Sequence, residues 1–321
     1  MRQHSLPPIF AQYAGAVNYV RQVAAEEWSS SCPKCGGAPH QDGEFPDRFR
    51  WFTKGKPVGW CRRCGHLAWP DAAEGWTPPS PEELERWRKE REQAEEARKR
   101  SAERALANLR SSRLWEQYHQ QLDAYARDWW QRRGIPDEWQ DFWKLGINYE
   151  YRTGSIATPS ATIPLFDHQW QALNIKHRLL EPPEGVGKYR YEVSGQGQPM
   201  FITNPTIPLA GHAIAIEGEI KAAVTYIHMG QRDACIVGLP GKSVSADVVA
   251  ALARCERVTL VFDPGGERDV LKLAKAIGIG KCRALVTCAK IDDGILAANL
   301  TPREIQTLLR GATLLRAFVR N

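Results

Sequence analysis

Four carboxylates stand where an open α/β sheet would expose its ligand-binding edge. Glu217, in Glu217-Gly218-Glu219, closes the apolar run Ala213 to Ile216, and Asp263 closes a second run, Val258 to Phe262. Both runs are short and rich in aliphatic residues, and a helix-like stretch follows each, so both acids are expected at the carboxyl ends of strands. Asp292 and Asp293 come after a later strand-like segment. Carboxylates gathered at such an edge suit Mg2+ or Mn2+, which in nucleotidyl transfer neutralise charge at the reacting phosphorus. Lys221, Lys242 and Lys290 lie close in sequence to these acids and are candidates for contacts to triphosphate or template phosphates. For any one of these acids taken alone, a solvated position at a strand end is the ordinary alternative.

A second set of residues has metal-ligand spacing. Cys32-Pro33-Lys34-Cys35 and Cys61-Arg62-Arg63-Cys64 are two Cys-x-x-Cys pairs, each followed by glycine. Each pair can curl around half of a tetrahedral ion, so one Zn2+ held by Cys32, Cys35, Cys61 and Cys64 is expected. Four thiolates leave no open position, so this zinc is structural, and His40 and His66 are expected at the surface. The module serves folding alone, or it also touches single-stranded DNA through Arg50, Arg62, Arg63 and Trp51 by charge and stacking. Cys235, Cys255, Cys282 and Cys288 fall in expected core elements, and reduced thiols beside a zinc site imply a cytoplasmic protein.

The elements that must position these groups divide the chain into four segments. Residues 1–76 carry the cysteine pairs and are short of aliphatic residues, so a metal must staple them. Residues 77–112 read as a charged linker helix that starts at Ser80-Pro81-Glu82-Glu83 with a capping box. Glu82 and Arg86, Glu85 and Lys89, Glu95 and Lys99, and Glu96 and Arg100 support it at i,i+4 spacing. Residues 113–210 begin with two tryptophan-rich helices joined at Gly134 and continue as a β-rich unit. Residues 211–321 alternate strands near 213–216, 234–237, 257–262 and 283–287 with helices near 219–229, 246–254 and 267–278, and a last helix is capped at Thr301. The segment Gly238 to Ser243 ends in Gly-Lys-Ser but is not a Walker loop, because Ile236 stands where that motif needs glycine. It is expected to be a tight turn that brings Lys242 towards a phosphate.

A chain of 321 residues holds two or three small domains, and a net charge of +6 suits a polyanionic partner without requiring one. No apolar run approaches membrane-spanning length, and no membrane association is expected.

The stretch around Glu217 and Asp263 resembles the TOPRIM domain of DnaG-type and phage-type primases, topoisomerases and related nucleases. The order of zinc module first and acidic α/β module second narrows the resemblance to the primases. It implies a multidomain α/β and α+β protein: an N-terminal zinc ribbon, a helical linker and a primase core ending in a Rossmann-like TOPRIM domain. It further implies synthesis of short RNA primers on single-stranded DNA templates from nucleoside triphosphates. By this resemblance Glu217 and Asp263 hold metal, with Asp292 and Asp293 as secondary acids. Ile175-Lys176-His177-Arg178 and Lys188-Tyr189-Arg190 resemble the basic strand region that holds template and nucleotides. No helicase motif follows, so a replicative helicase encoded separately is the implied partner. Two positions depart from the family pattern. Gly265 replaces the second acid of Asp-x-Asp, leaving Glu267 or Asp269 as substitutes, and Lys221 stands where an aspartate is common. Lys221 matches a Glu-Gly-Glu-x-Lys-Ala variant of plasmid and phage replication proteins. The competing expectation is a non-catalytic or weakly catalytic module that binds single-stranded DNA and recruits a helicase.

Overall fold

The computed structural model describes residues 5–36, 49–55, 57–70, 80–153, 156–230, 235–241 and 244–315. Lys242 and His40 lie outside the described residues. The chain divides into two compact units, Met1–Glu92 and Gln93–Asn321.

The first unit is an antiparallel meander of β1 (Arg21–Ala24), β2 (Glu27–Ser30), β3 (Phe49–Phe52), β4 (Val58–Cys61) and β5 (Leu67–Ala68). Period-two alternation in β3 turns Phe49 and Trp51 inward, both fully buried, against Phe10, Cys32 and Cys61. The Trp51 ring lies 4.5 Å from Phe49 and 4.8 Å from Phe10, and its indole N–H donates to Ser30 Oγ at 2.8 Å. Gly59 faces Trp51 across the ladder because a Cβ there would meet Phe49 at 2.4 Å. Trp51 is therefore the core of this unit, which fits the folding role and not the stacking role, the two alternatives open in the sequence. Arg50 is likewise committed, in an ion pair with Glu27 at 2.9 Å. Among the described residues of this unit the exposed aromatic is Trp60, near exposed Arg62 and Arg63 in sequence.

The linker helix α1 (Pro81–Ser111) starts as expected, with Glu83 N–H donating to Ser80 Oγ at 3.1 Å and Ser80 N–H to Glu83 Oε2 at 2.9 Å. Glu85–Lys89, Glu95–Lys99 and Glu96–Arg100 form on its solvated surface. Arg86 instead engages Glu83 and Glu90 rather than Glu82.

In the second unit three helices follow where two were expected: α2 (Leu114–Gln120), α3 (Ala124–Gln131) and α4 (Asp137–Phe142). Asp123 causes the extra break, because its extended backbone and a side-chain bond to Ala126 N–H at 2.8 Å start a new helix. Next comes an antiparallel sheet of β6 (Gly146–Thr153), β7 (Ile156–Phe166), β8 (Ala172–Leu179) and β9 (Tyr189–Tyr191).

The remaining elements are β10 (Phe201–Ile202), β11 (His212–Glu217), α5 (Glu219–Met229), β12 (Cys235–Leu239), α6 (Ala246–Ala253), β13 (Arg257–Phe262), α7 (Glu267–Ile277), β14 (Cys282–Val286), α8 (Ile291–Ala297), α9 (Pro302–Arg310) and β15 (Thr313–Leu314). Their sheet has the order β10-β12-β11-β13-β14-β15, with four parallel central strands and an antiparallel strand at each edge. Both faces are covered, as a parallel sheet requires. Ile214 and Ile216 enter one core with α5, α8 and α9, while Ala213 and Ala215 enter the other with α6 and α7. Cys235, Cys255 and Cys282 are buried as expected, but Cys288 is exposed, since it follows β14 in a surface loop.

Candidate active site

The strand order reverses between β11 and β13, so their carboxyl ends flank the crevice where open α/β sheets bind ligands. Glu217 ends β11 and Asp263 follows β13, and Glu217 Oε2 accepts from the Asp263 backbone N–H at 3.4 Å. The chain then turns at Gly218, whose φ of +102° is a conformation that favours glycine, and α5 begins at Glu219. Gly238 lets α5 approach β12 closely, since a Cβ there would sit 2.7 Å from Glu219 Cα.

Two lysines answer these acids. Lys221, in the first turn of α5, reaches back and donates to Asp263 Oδ2. Lys176, from the middle of β8, donates to Glu219 at 2.6 Å and to the Pro240 carbonyl at 3.0 Å. Both side chains of the Lys176–Glu219 pair are only 3 % exposed. Lys176 is thus a buried tie between the antiparallel sheet and the parallel one, with its ammonium 4.6 Å from the Tyr189 ring centre.

The register of β8 on β9 pairs Lys176 with Tyr191 and Arg178 with Tyr189, so these four side chains share one face of the sheet. The Arg178 guanidinium lies 5.4 Å from the Trp129 ring and 5.9 Å from Tyr189, and Arg133 covers Trp129 at 4.2 Å. Burial, then repulsion from Arg178, pulls the Arg133 guanidinium below its ordinary pKa, while Tyr189, Asp292 and Asp293 act in the opposite direction. Gly134, at φ +78°, allows the α3–α4 turn to meet Leu296 of α8, which brings Arg133 towards the acids at the start of α8. Burial and the neighbouring Asp293 raise the Asp292 carboxyl, and Asp292 Oδ1 is buried with no hydrogen-bond partner among the described residues.

Of the residues singled out in the sequence, Glu217, Asp263, Lys221, Lys176, Arg178, Asp292 and Asp293 converge here. Arg190 pairs with His177 on the opposite face of the antiparallel sheet, and its guanidinium bonds the Tyr189 carbonyl. Lys188 is exposed in the turn before β9, and Lys290 is exposed at the N-cap of α8. Sequence reasoning passed over Trp129, Tyr189, Tyr191 and the pairing role of Glu219. The alternation Lys-x-Arg against Tyr-x-Tyr was the available signal for the two tyrosines.

Glu217 and Asp263 offer hard oxygen donors on neighbouring strand ends, and the orphaned Asp292 oxygen adds unmet acceptor capacity nearby. That donor set fits one magnesium-type ion, which is commonly held by one or two carboxylates with water and substrate phosphates completing its shell. Among the described residues, the acids do not form a group of three within ligating distance of one another.

The cysteines do form such a group. Cys32, Cys35, Cys61 and Cys64 place their sulfurs within 4.8 Å of one another, with Cys32–Cys64 and Cys35–Cys61 each at 3.7 Å. A zinc tetrahedron with bonds of about 2.3 Å separates sulfurs by about 3.8 Å, so the cluster is compatible with one structural zinc. Backbone N–H groups of Lys34 and Cys35 point at Cys32 Sγ, both at 3.4 Å. Burial raises the Cys61 thiol, but N–H donors from Cys64 and Arg63 outweigh it and bring it to about 7.

No protein-family model and no curated protein matches the sequence. Solved structures do match the fold. The zinc-binding and RNA polymerase domains of the Aquifex aeolicus primase align with 95 % of this chain and 83 % of theirs, at 13 % identity and a TM-score of 0.51. The fold is that of the DnaG primases. A DNA primase domain from Pseudomonas aeruginosa matches 67 % of this chain and 81 % of its own, at 14 % identity and a TM-score of 0.54. A DnaG primase catalytic domain solved with single-stranded DNA matches 68 % and 84 %, at 15 % identity and 0.52. Among the described residues, no helix is long and apolar enough to cross a membrane.

Proposed function

We propose that the protein is a DNA primase that joins ribonucleotides into short primers on a single-stranded DNA template. The observation that carries this reading is the meeting of Glu217, Asp263 and Lys221 at the carboxyl edge of the sheet, with Arg133 and Arg178 set beside Asp292 and Asp293, in a fold shared with DnaG primases. In this reading residues 211–321 act as a TOPRIM domain. Glu217 and Asp263 hold Mg2+ or Mn2+, which supplies charge neutralisation at the reacting phosphorus. Arg178 and Arg133 are held on Trp129 and Tyr189 and so present planar, fixed donors to the triphosphate. The bond formed joins the primer 3′ oxygen to the α-phosphorus, and the bond broken releases pyrophosphate. Lys176 is a positioning residue, because its buried ammonium is spent on Glu219 and the Pro240 carbonyl. Residues 1–76 carry the structural zinc, residues 77–112 link them to the core at 113–210, and a separately encoded helicase delivers the template.

One observation favours a second reading. Lys221 and Lys176 each neutralise an acid beside Glu217, which weakens the hold on a divalent ion and suits a module that binds single-stranded DNA without synthesis. Incubation with radiolabelled ribonucleotides and short single-stranded templates separates the two: magnesium-dependent products a few nucleotides long support the primase, while template binding with no product supports the module.

A further inference from the structure

At the other end of the parallel sheet, five residues and about 16 Å along β11 from Glu217, the amino ends of the strands open onto a second cavity. Its volume is about 620 Å³, within the range of small-molecule sites. The floor is the face of the sheet that carries His212, Arg257, Thr259 and Arg283, and α9 contributes Arg310 to the wall. These groups are brought together by register. His212 pairs with Arg257, Thr259 pairs with Arg283, and the His212 ring bonds Thr259 Oγ1 at 2.8 Å through Nε2.

The charge of this cavity has one sign. Three guanidiniums line it, and no carboxylate side chain does so among the described residues. Among those residues none of the three arginines forms a salt bridge. Burial, then repulsion from Arg257 and Arg283, lowers the pKa of His212. Guanidiniums lining one cavity give it a positive potential that favours an anion, and their planar forks match phosphate oxygens. Ile214, Met229 and Leu309 form an apolar side to the same cavity.

We propose that this cavity binds a polyphosphate anion, free or carried by a nucleoside, at a site separate from Glu217 and Asp263. Arg257, Arg283 and Arg310 take the phosphates, and the apolar wall takes a base if one is attached. This inference does not rest on primer synthesis, since it uses none of the residues assigned to that reaction.

Isothermal titration of the full chain with inorganic tripolyphosphate, and separately with GTP, tests it. Four proteins are compared: wild type, Arg310→Gln, Arg283→Gln/Arg310→Gln, and Arg178→Gln as a control at the candidate active site. The expected result is two separable tripolyphosphate sites in wild type, one weakened at least tenfold in the double variant and unchanged by Arg178→Gln, the other weakened by Arg178→Gln alone. Tighter binding of GTP than of tripolyphosphate identifies a nucleotide as the ligand, and equal binding identifies free polyphosphate. Arg310 is exposed on α9, so Arg310→Gln alone, folding like wild type, is expected to weaken binding severalfold. Unchanged affinity in both the single and double variants overturns the proposal, as does loss confined to Arg178→Gln.

Discussion

Lys221 donates a hydrogen bond to Asp263 Oδ2 beside the carboxylate of Glu217, so the protein places a cation of its own at the edge of the sheet where a divalent ion is expected. The ammonium neutralises one acid, and an incoming ion must displace it or share the carboxylate.

Removing that ammonium should strengthen metal binding. A unit charge a few ångströms from the ion opposes it by several kcal/mol at an effective dielectric of 20, less once solvent screens this half-buried group. Lys221→Met is expected to bind Mn2+ about tenfold more tightly than wild type by electron paramagnetic resonance titration. An unchanged dissociation constant would show that Lys221 does not compete with the ion.

The buried Lys176–Glu219 pair should be costly to break from one side. Lys176→Met leaves Glu219 uncompensated and is expected to destabilise the fold by about 3–5 kcal/mol in urea unfolding. Lys176→Met combined with Glu219→Leu should recover more than half of that loss, because both charges then leave the interior together. A double variant as unstable as the single one contradicts the pairing.

The zinc cluster makes a compositional prediction. Atomic emission should find one zinc per chain, and Cys61→Ser should lose it. Chelation should also remove the near-ultraviolet circular dichroism of Trp51, whose packing depends on a core that includes Cys32 and Cys61. Retention of that signal after complete zinc removal would show that the aromatic core holds without metal.

Two carboxylates should shape stability against pH in opposite senses. Glu192 is raised by burial but lowered further by its bond to His177 at 2.7 Å, so its net pKa lies below the ordinary value. Its contribution is present above the usual carboxylate range and disappears as pH falls through the depressed value. Asp292 is raised by burial and by Asp293, so its folded form prefers the proton and stability declines as pH rises through that range. Asp292→Asn is therefore expected to raise the melting temperature at pH 7.5 and to change it little at pH 4, measured by calorimetry. A lower melting temperature at pH 7.5 contradicts the stated environment of Asp292.

Much of the parallel sheet was legible because its strands and helices differ sharply in pattern. The apolar runs ending at Glu217 and Phe262 fix two strands, and Thr301 with Glu304 fixes the start of α9 by a capping box. The cysteine pairs were legible for a similar reason, since metal-ligand spacing is local. The role of Trp51 stayed open because β3 is only four residues long, and a short strand does not show which face is buried until Phe10 and Gly59 pack on it. Arg190 and Arg178 read alike in sequence, and only the pairing of β8 with β9 separates their faces. The partners of Lys176 and Lys221 were hidden because they lie 43 and 42 residues away along the chain.

Primer synthesis by Asp263→Ala tests the central claim most directly. Asp263 is half-buried at the mouth of the crevice, so the variant is expected to keep the wild-type circular dichroism spectrum and melting profile. With single-stranded template, ribonucleoside triphosphates and magnesium, the wild type should make short RNA, and the variant should lose at least a hundredfold in rate. Primer formation by a folded Asp263→Ala protein at the wild-type rate would contradict the assignment of this edge as the site of nucleotidyl transfer.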